Sequence, residues 1–233
     1  MKRNIIIIIV LFAGIGVLTM ASINSPSAAF AKELNNHINE MMSQVDRQSN
    51  NNAITQLSSN PYNYARNNVY FDEIVEMGYP AVPLLEDYIV KSPENGLREY
   101  LLAIAIEKIT KVDLKTDTDK GWYTAKNFVG VWDNHLANIP ANVDGILNSE
   151  KSDLEKASDI KKLGLPAAPY VMDYIEKSVD ENNGIKASLM EILKNSKIVS
   201  DFDANTMDFS IWAKENKPQL EDLRLYVESK HQQ

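Results

Sequence analysis

Apolar residues recur along most of this chain at spacings of three and four, and no run alternates convincingly with period two, so the pattern predicts an all-α fold. A first helix over 64–77 carries Phe71, Ile74, Val75 and Met77 and stops at Gly78, a residue suited to the left-handed conformation that closes helices. Pro80 and Pro83 mark the start of the next, because proline fits the first turn, where amides have no acceptor within the helix. Leu84, Leu85, Tyr88 and Ile89 then form one apolar stripe. Asn95 and Gly96 turn the chain into a third helix over 97–109, followed by a polar stretch and a helix over 128–138 that bears Trp132.

The series then repeats. Residues 73–92, EIVEMGYPAVPLLEDYIVKS, and 159–178, DIKKLGLPAAPYVMDYIEKS, share ten of twenty positions. The second copy continues through Asn183 and Gly184 to a third helix over 185–198 and a helix over 209–216 that bears Trp212. A unit that recurs with a fixed internal pattern cannot bury its apolar face alone and stacks on its neighbour. The two third helices differ in polarity. The first is apolar nearly all round, with Leu101, Leu102, Ile104, Ala105, Ile106 and Ile109, whereas Lys186, Glu191, Lys194 and Lys197 interrupt the second. The first copy is therefore expected centrally and the second nearer an exposed end.

The Gly-x-Pro-Ala-x-Pro series with its Asp-Tyr pair, the Asn-Gly turn, the run LREYLLAIAIEKIT and the segments FVGVWDN and FSIWAKEN resemble the HEAT-like helical repeat proteins over 64–216. The resemblance implies a short α-solenoid of two related multi-helix units that binds other macromolecules through a curved surface. It implies no shared catalytic residues.

Ahead of the repeats, Lys2 and Arg3 precede an apolar stretch over 5–23, then Pro26 and Ala29-Phe30-Ala31, the order of a secretory signal cleaved after Ala31. The competing reading is an uncleaved anchor, since 5–23 approaches the roughly 20 residues that span a bilayer. Both place the protein outside the cytoplasm, secreted or in the cell envelope, with membrane contact only through an uncleaved 5–23. The expected organisation is a signal over 1–31, a polar tether with patchy helix over 32–60, a first helical unit over 61–140, and a second over 141–233 with a C-terminal helix. The absence of cysteine excludes disulfides, thiolate metal sites and cysteine nucleophiles. Without residues 1–31 the chain holds 22 basic against 32 acidic residues, a net charge of −10. That charge argues against nucleic acid or anionic lipid and for a protein partner with a basic contact face.

Candidate chemistry is sparse. Asp113, Asp117 and Asp119, and Asp201, Asp203 and Asn205, resemble fragments of calcium loops; counted from Asp201, however, Thr206 stands where glycine is needed and Trp212 where glutamate is needed. They read as solvated loops and caps. His37, His135 and His231 lack zinc-site spacing and read as surface residues. Asp87 with Lys91, and Asp173 with Lys177, read as exposed ion pairs one helical turn apart. Trp132 and Trp212 read as core, while Trp122, Tyr62, Tyr64 and Tyr70 are open between core and a stacking platform. The sequence offers no glycine-rich phosphate loop and no nucleophile elbow. The leading expectation is a non-enzymatic binding or scaffold module without cofactor, metal or catalytic residue: an adaptor, inhibitor or immunity-type partner of an envelope or secreted protein. The alternative is a cell-envelope enzyme, such as a wall-polymer hydrolase using paired carboxylates.

Overall fold

The structure, a computed structural model, describes residues 26–51, 60–115, 121–177, 183–200, 202–203 and 207–232. In chain order it contains α1 (Ala28–Asn51), α2 (Tyr62–Ala65), α3 (Val69–Glu76), α4 (Val82–Lys91), α5 (Leu97–Thr110), α6 (Ala125–Leu147), α7 (Asp153–Leu163), α8 (Ala168–Lys177), α9 (Asn183–Leu193) and α10 (Phe209–Glu228). Short 3-10 turns occupy Tyr79–Ala81, Leu165–Ala167 and Ser229–Gln232. No strand occurs among the described residues, and the protein is all-α.

The repeated sequence produces the same local structure twice. Gly78 ends α3 at φ 72 and ψ −161, Gly164 ends α7 at φ 70 and ψ −162, and each leads through a proline-bearing 3-10 turn into the next helix. This backbone region is open to glycine and strained for residues with a Cβ. In the first copy α3 and α4 pack on α5, and α4 and α5 on α6; in the second α7 and α8 pack on α9, and α8 on α10. The copies also touch at their glycines. A Cβ on Gly78 would stand 2.5 Å from the Ser196 carbonyl oxygen, and one on Gly164 would stand 2.5 Å from that of Thr110.

α5 is buried without a break from Leu101 to Ile106, as an all-round apolar helix must be, whereas α9 buries Ile185, Ser188, Leu189, Ile192 and Leu193 and leaves Glu191 and Lys194 exposed. The polarity difference read from the sequence therefore marks a real difference in surroundings.

Several boundaries differ from the sequence reading. The helix expected over 64–77 breaks at Asn67, which takes a left-handed φ of 60, and at the buried Asn68. Asn68 caps α3 by accepting from the Phe71 amide, and its side-chain amide donates to the Met41 carbonyl at 3.1 Å. The helix expected over 185–198 ends at Leu193, with Asn195 and Lys197 left-handed. Both Trp-bearing helices run longer than expected and continue through Pro140 and Pro218. The unit boundary expected at 140 consequently falls inside α6, and the chain breaks only after Leu147, before Ser152 caps α7.

The largest correction concerns the expected tether over 32–60. Its described part belongs to α1, with Leu34, Ile38, Met41 and Val45 buried against α3. Spacings of four, three and four put these residues on one helical stripe, which the surrounding Asn, Ser and Gln residues disguise. Residues 52–59 and the apolar stretch over 5–23 lie outside the described residues. Among the described residues no helix is long and apolar enough to cross a membrane.

Candidate functional site

The loop after α5 builds the most distinctive cluster of aromatic and charged side chains. α5 supplies Tyr100 and, two turns later, Glu107; α2 supplies Tyr62; the segment before α6 supplies Trp122. Glu107 is buried, and its Oε1 accepts both from Trp122 Nε1 at 2.9 Å and from the Leu114 amide at 3.0 Å, which pins the two sides of the loop to one carboxylate. The Trp122 ring lies 4.5 Å from Tyr100 and meets Phe128 edge-on at 5.2 Å. The ammonium of Lys115 stands over this assembly, 4.3 Å from the Trp122 ring, 4.5 Å from Tyr100 and 5.7 Å from Tyr62. Burial pulls the Lys115 ammonium below its ordinary pKa. Burial pushes Glu107 up, against the opposing effect of its bonds from Trp122 and Leu114. Tyr62 is pushed up to about 12, first by burial and then by the charges of Glu107 and Asp113.

A second feature lies in the interior. Glu86 on α4 accepts from the Tyr226 hydroxyl and pairs with Lys230; Lys230 also pairs with Asp133 at 2.9 Å, and Trp132 Nε1 donates to the Tyr226 oxygen at 2.9 Å. The side chains of Glu86 and Lys230 are only 8% and 9% exposed. Burial alone would lower the Lys230 pKa, but Glu86 and Asp133 outweigh it and leave the ammonium raised and charged. This group fastens the carboxyl-terminal turn to the first unit.

The surface also carries open hollows, among them these two. One, of about 400 Å³, lies beside α9 and is walled by Met190, Leu193, Val199, Phe202 and Trp212. Another, of about 490 Å³, lies between α1 and α3, with Glu33, His37, Glu73, Glu76 and Lys197 beside Phe30 and Met77. There His37 Nδ1 is 2.8 Å from Glu73.

The residues singled out in the sequence are distributed as follows. Trp132 and Trp212 are core, and Trp122 is equally buried. Asp87 and Lys91 form the expected pair at 2.9 Å. Asp173 does not use Lys177; α10 packs on α8 and brings Arg224 to 2.8 Å and Lys217 to 3.6 Å instead. His135 is half-buried rather than exposed. Its ring stacks on Trp132 and is 3.2 Å from the Leu163 carbonyl, and burial lowers its pKa. The side chain of His231 lies outside the described residues, as do Asp117, Asp119, Asp201 and Asn205. Among the described residues no three His, Asp or Glu side chains converge as metal ligands. Sequence reasoning passed over Tyr100, Glu107 and Lys115, because no periodic pattern joins a helix face to a loop residue.

Comparison with protein-family models, characterised proteins and solved structures returned no match.

Proposed function

We propose that this protein is an exported, non-enzymatic binding module: a HEAT-like stack of two units that engages a cell-envelope or secreted protein through that partner's basic face. The observation that supports binding over catalysis is where the buried carboxylates are engaged. Glu86 holds Tyr226 and Lys230, Glu99 holds the Ser92 hydroxyl and the Gly96 amide, and Glu107 holds Trp122 and Leu114. General acid chemistry requires a carboxyl held opposite a second group across an open site, and these three fasten helices and loops. Other acidic residues lie at the surface, including Glu33, Glu73 and Glu76 around the hollow between α1 and α3. Such a surface steers a cationic partner.

The test is capture of a partner from envelope extracts on the immobilised protein, followed by association rates measured against salt. The rate is expected to fall as salt rises, because screening limits the steering field to about 8 Å at physiological ionic strength. Turnover of a wall polymer, abolished by Glu107→Gln without unfolding, would establish the enzyme reading instead.

A further inference from the structure

The cage around Lys115 contains more recognition chemistry than fastening a loop requires. Three aromatic rings surround one ammonium, at 4.3, 4.5 and 5.7 Å. The buried Glu107 is turned to Trp122 and Leu114. Aromatic faces hold ammonium groups through the ring quadrupole, quaternary ones most readily because they are weakly hydrated. Tyr62, Tyr100 and Lys115 are half-buried, so the two tyrosine rings reach solvent, while Trp122 forms the buried floor of the site. The carboxylates of Glu107 and Asp113 act on Tyr62 across the same site and give it a negative field that attracts cations.

We infer that Tyr62, Tyr100 and Trp122 form a receptor for alkylammonium groups, which the chain's own Lys115 occupies as a tethered competitor. The inference rests on the binding reading above only for the source of the ligand: a lysine on the partner's basic face supplies the ammonium, and a free quaternary ammonium compound is the other source of the same chemistry. A tethered side chain competes at an effective concentration in the millimolar range or above. The resting site therefore responds only to a ligand presented at comparable local concentration, as a docked partner would present it.

The experiment is a titration of the whole protein with tetramethylammonium chloride, followed through the NMR signal of the Trp122 indole N–H, with sodium chloride at equal ionic strength as the control. Lys115→Ala, a half-exposed loop change, is expected to give saturable binding at least about tenfold tighter than the unaltered protein. Adding Tyr62→Leu is expected to reverse most of that gain, with the helical spectrum unchanged. Equal titrations for Lys115→Ala and the unaltered protein, or a shift that sodium chloride reproduces, would overturn the inference. Tighter binding by Lys115→Ala of a lysine-bearing basic peptide than of choline assigns the site to a partner's side chain; the reverse order assigns it to a small quaternary ammonium compound, and either supports the receptor. The two proposals separate cleanly. A flat titration leaves capture of a protein partner untouched, and failure to capture one leaves the titration untouched.

Discussion

α5 and α9 occupy the same place in the repeat and meet different neighbours. With Leu101 aligned on Leu189, Ala103 and Ile106 fall opposite Glu191 and Lys194. The aligned leucines are both buried; the other two positions are buried in α5, while Glu191 in α9 and Lys194 just past its end are exposed. Polarity thus follows the surroundings of each face rather than the helix as a whole. α5 has helices packed on several sides, including α2, α3, α4 and α6, and a charge on any of those faces would be buried without a partner. α9 leaves one side to solvent, and the carbonyl of Lys194 there accepts from Lys111 of the first unit at 2.8 Å.

This contrast can be broken most severely by exchanging residues between the copies. Ile106→Lys is expected to cost about 3–5 kcal/mol or to abolish folding, since it leaves an unpaired ammonium in the core, while Lys194→Ile should stay within about 0.5 kcal/mol of the unaltered protein. A cooperative denaturation curve for Ile106→Lys near the unaltered midpoint would remove the basis of the comparison. Next in size are the cavity changes. Leu101→Ala and Leu189→Ala should each cost roughly 2–5 kcal/mol, and because both side chains are fully buried their ranges should overlap, although polarity alone would rank the second lower. Denaturant titration of both variants decides between these orders.

Gly78→Ala and Gly164→Ala should each cost about 1–3 kcal/mol from the positive φ alone, plus the clash with the opposing carbonyl. Matched losses are expected because the two sites share one conformation; a loss at only one glycine would show that the contacts are not equivalent.

The smallest effects are in pH dependence, and they have opposite signs. The folded pKa of His135 is depressed by burial, so its contribution is present above the ordinary imidazole value of about 6.5 and is lost as pH falls through the lower folded value. His135→Asn should flatten that loss on the acid side. Glu107 is raised by burial, so its contribution is complete below the ordinary carboxylate range and is lost as pH rises through the folded value. Glu107→Gln keeps an oxygen for Trp122 and Leu114, and its stability relative to the unaltered protein should rise from acid toward neutral pH. Thermal melts across that range test both variants.

The Gly-x-Pro series made the repeated helix ends legible, because conformation at glycine and proline is set locally. Burial of α5 was legible as well, since an apolar helix has only one environment available to it. What could not be read depends on partners remote along the chain. Asn68 looks like turn material until α1 brings the Met41 carbonyl to it. Glu86 and Lys230 are 144 positions apart, and nothing local in either predicts the other. The cage is a similar case: Trp122 and its neighbours Tyr100 and Lys115 come from segments with no shared periodicity. α1 was different, because its stripe was present in the sequence and was masked only by the polarity of the residues between.

The opposed glycines bear on how many units such a chain can contain. An array that extends indefinitely is built by a screw operation, in which each trailing edge meets the next leading edge and the last remains open. Here the trailing edge of the second unit is already occupied: the Tyr79 amide donates to the Ser196 carbonyl at 2.8 Å, beside Gly78. Gly164 in turn meets the Thr110 carbonyl at the end of α5, so each unit's glycine faces backbone that follows or ends the other's third helix, and the contact between them is reciprocal. A further copy that docked its own glycine turn on the Ser196 carbonyl would have to displace Tyr79 and Gly78 of the first unit.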